Sequence, residues 1–213
     1  MGKYDSLAEL LLEAIKEGGY LTKDANSIPV GISNRHIHLS QANLETLFGL
    51  GYQLTKAKDL SQPMQYACKE TLTIAGPKGA IEKVRILGPV RNESQVEILL
   101  ADCFKLGITA PVRLSGELQG TTGITLIGPK GSILLSKGVL IAQRHIHMTL
   151  EDAKYFGVID GEHVTVKIDG LRGGTYSNVV IRSNNTSTLE FHIDTEEANA
   201  MQLASTSRIT IVK

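Results

Sequence analysis

The chain has 213 residues, enough for one large domain or two small ones, and its 42% hydrophobic content is sufficient for a real core. Aromatics make up only 5% and tryptophan is absent, so that core must rest on Ile, Leu, Val and Ala. Twenty-two basic and 22 acidic side chains cancel to a net charge of zero, which argues against a broad nucleic-acid surface and leaves room for a local phosphate site.

No apolar run is long enough to span a bilayer, and the N-terminus lacks the basic start, apolar stretch and cleavage site of a secretory signal. Residues 6–17 read as a short amphipathic helix. Ser6 with Glu9 matches a capping box, Leu7, Leu11 and Ile15 form an apolar stripe with Leu10 and Ala14 beside them, and Gly18-Gly19 ends it. Residues 20–27 are a polar linker. The helix either packs on its own domain or serves as a docking tag that buries its stripe against a partner.

After residue 28 the pattern is mainly β: short alternating runs separated by Gly, Pro and Asn turns, as in barrels or sandwiches. The first strand-like run carries Arg35-His36-Ile37-His38. Ser40 is a plausible N-cap for a helical stretch holding Leu44, Leu47 and Phe48. Residues 72–81 and 126–133 read as hairpins around a Gly-Pro-Lys-Gly turn, which lacks the spacing of a phosphate loop. Cys68 and Cys103 form no metal or redox motif, a usage that fits a reducing compartment. A second motif, Arg144-His145-Ile146-His147, precedes Thr149, another plausible N-cap, and a stretch holding Ala153 and Phe156.

The two motifs use four of the six histidines in the chain. In a strand, residues i and i+2 face the same side, so each pair aims two imidazoles at one point. The repeat also pairs Val96-Glu97-Ile98, followed by Asp102, with Phe191-His192-Ile193, followed by Glu197. Each half thus offers a matching set: His36, His38 and Glu97, then His145, His147 and His192. Three N/O ligands with an open fourth position is the pattern of catalytic zinc; the residues alone leave cobalt, nickel, manganese and iron open. His163 reads as an ordinary strand histidine.

Arg91, six residues before Glu97, can present a guanidinium to phosphate or carboxylate beside such a metal. Arg182 lies ten residues before His192. Ser33 and Ser115 are candidate hydrogen-bond donors to a substrate. There is no readable Ser-His-Asp set and no Gly-x-Ser-x-Gly.

Several stretches, taken in order, resemble the phosphate propanoyltransferases, phosphotransacylases of the propanediol-utilisation type. They are residues 30–39 around the first motif, Leu87-Gly88-Pro89-Val90-Arg91 with 94–98, Pro111-Val112-Arg113-Leu114-Ser115-Gly116, residues 143–148, and 191–200. The resemblance covers about residues 28–213 and is weakest at the N-terminal helix. It implies two β-barrels related by pseudo-twofold symmetry, with short capping helices and a two-zinc site between them. The implied domains are residues 28–34 with 143–213, and 35–142, preceded by a 1–27 helix and linker. His36, His38 and Glu97 would hold one Zn2+, and His145, His147 and His192 the other. Arg91 would match the family's phosphate-binding arginine, with Ser33, Ser115 and Arg182 as further substrate contacts.

The implied reaction is acyl-CoA plus phosphate giving acyl phosphate plus coenzyme A, by direct phosphate attack without an acyl-enzyme. A homodimer is implied, in the cytoplasm or inside a bacterial microcompartment, with the N-terminal helix resembling an encapsulation tag. Neither nucleic acid nor membrane is an expected partner. Two other classes stand beside this one: a zinc-dependent hydrolase, and a non-catalytic microcompartment component.

Overall fold

The computed structural model describes residues 26–212. The helix expected over residues 6–17 lies outside them. The first half contains β1 (Ile28–Ser33), β2 (His36–His38), α1 (Gln41–Phe48), β3 (Lys56–Asp59), β4 (Tyr66–Ala75), β5 (Ala80–Gly88), β6 (Gln95–Glu97) and α2 (Leu100–Leu106). It is followed by β7 (Val112–Arg113), β8 (Thr122–Ile127), β9 (Ser132–Ala142), β10 (His145–Met148) and α3 (Leu150–Phe156). The last elements are β11 (His163–Ile168), β12 (Gly174–Ser183), β13 (Glu190–Asp194), α4 (Thr195–Ala200) and β14 (Arg208–Val212).

The strands close into two six-stranded barrels. One runs β1-β13-β10-β12-β11-β14. The other runs β4-β5-β2-β6-β9-β8 and returns to β4, with β3 and β7 as added edges. Both repeat one pairing scheme. β2 lies parallel to β5 and antiparallel to β6, as β10 lies to β12 and β13. β9 is parallel to β6 as β1 is parallel to β13. β1 therefore leads into β2 while pairing in the opposite barrel, and β9 leads into β10 in the same way. The chain changes barrel at each Arg-His-Ile-His motif, which brings the two motifs to the junction.

Each barrel has its own aliphatic core, one around Ile37, Ile74, Ile86 and Leu126, the other around Ile28, Ile146, Ile181 and Phe191. Alternation positions it: in β4, Cys68, Leu72 and Ile74 are buried, with less buried residues between them. The helices begin where expected. Ser40 Oγ accepts from Asn43 N–H, and Thr149 forms a reciprocal capping box with Asp152. α2 and α3 end on glycines in the left-handed region, Gly107 (φ 71°) and Gly157 (φ 64°).

The Gly-Pro-Lys-Gly sequences are hairpin turns, closed by Gly76 N–H to Gly79 O and Gly128 N–H to Gly131 O, each 2.9 Å. They also cap helices. Lys78 N–H donates to Leu106 O at the end of α2 (3.1 Å), and Lys130 N–H to Leu47 O near the end of α1 (3.0 Å). The approach demands glycine: a Cβ on Gly76 would collide with the Leu106 carbonyl oxygen, and one on Gly128 would lie 2.8 Å from Leu47 O. Gly76→Ala should destabilise the chain by about 1–3 kcal/mol, lowering the melting temperature by roughly 2–4 °C per kcal/mol. An unchanged thermal unfolding curve would mean that the contact relaxes at no cost.

Candidate metal centre

β2 and β10 each project two histidines from one face while the isoleucine between them enters a barrel core. Pairing then supplies the third side chain. Glu97 on β6 stands opposite His36, and His192 on β13 stands opposite His145. Within each trio the potential ligand atoms all lie within 4.8 Å of one another. His36 Nε2 is 3.4 Å from Glu97 Oε2, and His145 Nε2 is 3.1 Å from His147 Nε2. Two donors about 2.0–2.1 Å from a tetrahedral zinc would be roughly 3.4 Å apart, so both spacings suit a shared ion.

The backbone prepares one imidazole of each trio in the same way. His36 Nδ1 bonds the carbonyl of Asn34, and His145 Nδ1 that of Gln143, both at 2.8 Å. A carbonyl only accepts, so Nδ1 carries the proton and Nε2 presents a lone pair. Among the described residues the buried Nδ1 of His38 has no hydrogen-bond partner. These features fit metal-ligating imidazoles.

Electrostatics agree. Burial, then the charges of His36 and Arg91, pull His38 well below its ordinary value. Burial and His192 lower His145 to about 4; burial, His145 and His192 lower His147 to about 2. Neutral imidazole is the form that binds metal. Burial opposes ionisation of both His36 and Glu97, yet each stabilises the other's charged form: His36 is raised and Glu97 held well below the carboxylate range.

A stability prediction follows for chelator-treated protein. His145 and His147 stay neutral in the folded chain but take up protons near pH 6.5 when unfolded. Stability is therefore greatest above pH 6.5 and falls as the pH drops toward 4, by about 1.4 kcal/mol per pH unit for each such histidine. The raised value of His36 offsets part of this. Melting temperatures from pH 7.5 to 5 should fall; a flat profile would contradict the burial argument.

Both trios line one cleft of about 700 Å³, together with Arg91, Ser115, Arg182 and Ser33. Arg91 leaves the loop after β5, its N–H bonded to Leu39 O (2.8 Å), and its Nη1 donates to Ser115 Oγ (2.9 Å). Burial and nearby Arg182 depress Arg91, against the pull of Glu97. Among the described residues neither Arg91 nor Arg182 has a carboxylate within 4 Å, and no hydrogen bond is made by the Arg182 side chain. Ser33 is tied to β13, its Oγ donating to Ile193 O (3.3 Å).

Sequence reasoning missed Gln95. Its Nε2 donates to Glu97 Oε1 (2.6 Å) and Ser115 Oγ (2.8 Å), and its Oε1 accepts from Gly116 N–H (2.8 Å). It links Arg91, Ser115 and Glu97 in one network. It also missed Glu190, which contacts His192 and Ser61. The signal was available: both lie two residues before a third ligand candidate, hence on the same strand face. The motif arginines have a separate task. Arg35 pairs with Asp102 and Arg144 with Glu197, each at 2.7 Å, fastening each motif to the helix that follows β6 or β13.

The matching family model is that of phosphate propanoyltransferase, over residues 29–204. The chain belongs to the phosphate propanoyltransferase family. A phosphate propanoyltransferase of Thermotoga maritima is 52% identical over 204 residues, covering 95% of this chain and 97% of the relative. One from Rhodobacter capsulatus is 50% identical over 207 residues, covering 97% and 95%. One from Enterococcus faecalis is 46% identical across the full length of both. The chain is thus a member of an acyltransferase family, with a mainly β fold of two barrels. No helix among the described residues is long and apolar enough to cross a membrane.

Proposed function

We propose that this chain moves a short acyl group reversibly between coenzyme A and inorganic phosphate, in the cleft between the barrels, with two zinc ions held there. The observation that carries this reading is the placement of two guanidiniums, Arg91 and Arg182, beside two metal-ligand trios in one cleft. Two guanidiniums lining one cleft within electrostatic reach of each other, with no carboxylate within 4 Å of either among the described residues, favour an anion there.

His36, His38 and Glu97 would hold one zinc; His145, His147 and His192 would hold the other. Bound zinc would supply Lewis-acid polarisation of substrate oxygen and stabilisation of a leaving thiolate. Arg91 offers phosphate a planar, two-pronged set of donors that the Ser115 bond holds in orientation. Gln95 positions that serine and fixes Glu97. A phosphate oxygen attacks the thioester carbonyl, the new C–O bond forms, the C–S bond breaks, and coenzyme A leaves as its thiolate. Positioning of the two substrates contributes much of the acceleration. Direct transfer needs no protein nucleophile, and both cysteines are buried outside the cleft lining.

The proposal extends to a homodimer and to two domains, residues 28–34 with 143–213 and 35–142. It also treats residues 6–17 as a docking segment for a microcompartment partner. Limited proteolysis of that segment should leave activity intact; loss of the fold on clipping would exclude the tag.

The test of function is release of coenzyme A thiol from acetyl- and propanoyl-CoA, with and without phosphate, on protein of measured metal content. Phosphate-dependent release with about two zinc per chain, lost on chelation, is expected. Equal release without phosphate would instead indicate a hydrolase, and no release from metallated protein a binding role.

A further inference from the structure

The two trios are not equivalent in charge. The first contains the carboxylate of Glu97; the second consists of three imidazoles. The strand register shows where the missing carboxylate went. Opposite the two histidines of β2 stand Glu97 and Gln95; opposite those of β10 stand His192 and Glu190. The carboxylate has moved two residues along the strand, staying on the same face.

Glu190 is held for this position. Its Oε2 contacts His192 Nε2 and also receives Ser61 Oγ–H from the loop between β3 and β4 of the other barrel. Gln62 of that loop braces the arrangement, donating to Thr188 O at 3.0 Å. Space is reserved too: a Cβ on Gly31 would lie 2.7 Å from Glu190 Cδ and 2.8 Å from Oε2. Gly31 pairs with His192 as Leu140 pairs with Glu97, so a glycine replaces a leucine where the Glu190 carboxylate must fit.

Resting on the two-metal reading above, we propose that Glu190 is the positioning residue of the second metal site, supplying from behind His192 the negative charge that Glu97 supplies directly to the first. An ionised carboxylate only accepts hydrogen bonds. Its contact with Nε2 therefore keeps the proton there and leaves the lone pair on Nδ1 of His192. It fixes the tautomer and orientation of the ring and makes the imidazole a stronger donor to a cation.

The test is chelator competition for zinc on the full-length chain, supplemented with a His38→Ala background that isolates the second site. Glu190→Ala should weaken zinc at the second site about 10–100-fold and leave the first unchanged. Glu190→Gln should fall between Glu190→Ala and wild type, because its amide carbonyl still accepts the His192 N–H without the charge. Ser61→Ala removes the strap and keeps the His192 contact, so its zinc affinity should stay within about twofold of wild type. Gly31→Ala, which displaces the carboxylate without touching a ligand, should resemble Glu190→Ala. Wild-type affinity in Glu190→Ala, or equal losses in Ser61→Ala and Glu190→Ala, would overturn the proposal while leaving the two-metal reading intact. A wild-type chain that binds no zinc would overturn both.

Discussion

Arg91→Ala should lower kcat/KM for phosphate by about a hundredfold or more, with KM for acyl-CoA changed much less. The expectation rests on the place of this guanidinium. It is largely desolvated, bonded to Ser115, and shares with a second guanidinium a cleft that, among the described residues, brings no carboxylate within 4 Å of either. A charge-assisted, two-pronged contact with an anion is strong in such surroundings. About 2.7 kcal/mol of lost transition-state stabilisation corresponds to that hundredfold effect. Arg91→Lys should recover only part of it, because an ammonium keeps the charge and loses the planar fork. Steady-state kinetics with phosphate and acyl-CoA varied separately provide the check. Unchanged phosphate kinetics in Arg91→Ala would remove this residue from the mechanism.

The other large effect is expected at the second trio. His147→Ala should reduce bound zinc from about two per chain to about one and cut turnover by roughly a thousandfold or more. His147 is suited to this test because it is only partly buried, so its removal leaves a smaller packing defect than removal of His38 or His145. The metal-free variant should be no less acid-stable than metal-free wild type, since one imidazole held neutral by burial has been deleted. His38→Ala should produce the matching loss at the first trio. Zinc content by elemental analysis, measured beside turnover, separates loss of metal from loss of fold. Two zinc ions retained in His147→Ala would refute its assignment as a ligand.

The mainly β class was legible because alternating Ile, Leu and Val runs broken by Gly and Pro turns specify strands, whereas the choice of two barrels over a sandwich came from the family resemblance. The duplicated His-x-His was equally legible, since strand periodicity alone puts both imidazoles on one face. The double role of the Gly-Pro-Lys-Gly turns was not. A turn can be read locally, whereas its lysine N–H capping a helix that is distant in the sequence depends on packing. Gln95 and Glu190 were missed for a related reason. Their i, i+2 spacing from Glu97 and His192 puts them on the ligand face, but glutamine and glutamate on strands are common at solvent-facing positions, and it is the register that sets them opposite His38 and His147.

By itself, the sequence determined which side chains share a strand face, where helices and turns begin, and that two halves carry the same pattern. These are properties of neighbouring residues and of fixed backbone periods. Strand periodicity is silent on the pairing of β1 and β9 in the barrel opposite the motif they lead into, which the family resemblance implied and the tertiary structure realises by bringing both motifs to one cleft. The tertiary structure also decided that Arg91 and Arg182 line the same cleft while Arg35 and Arg144 are occupied by Asp102 and Glu197. Four arginines of the same chemistry differ in role because barrel closure gives Arg35 and Arg144 a carboxylate at 2.7 Å and leaves Arg91 and Arg182 lining the cleft with none within 4 Å among the described residues.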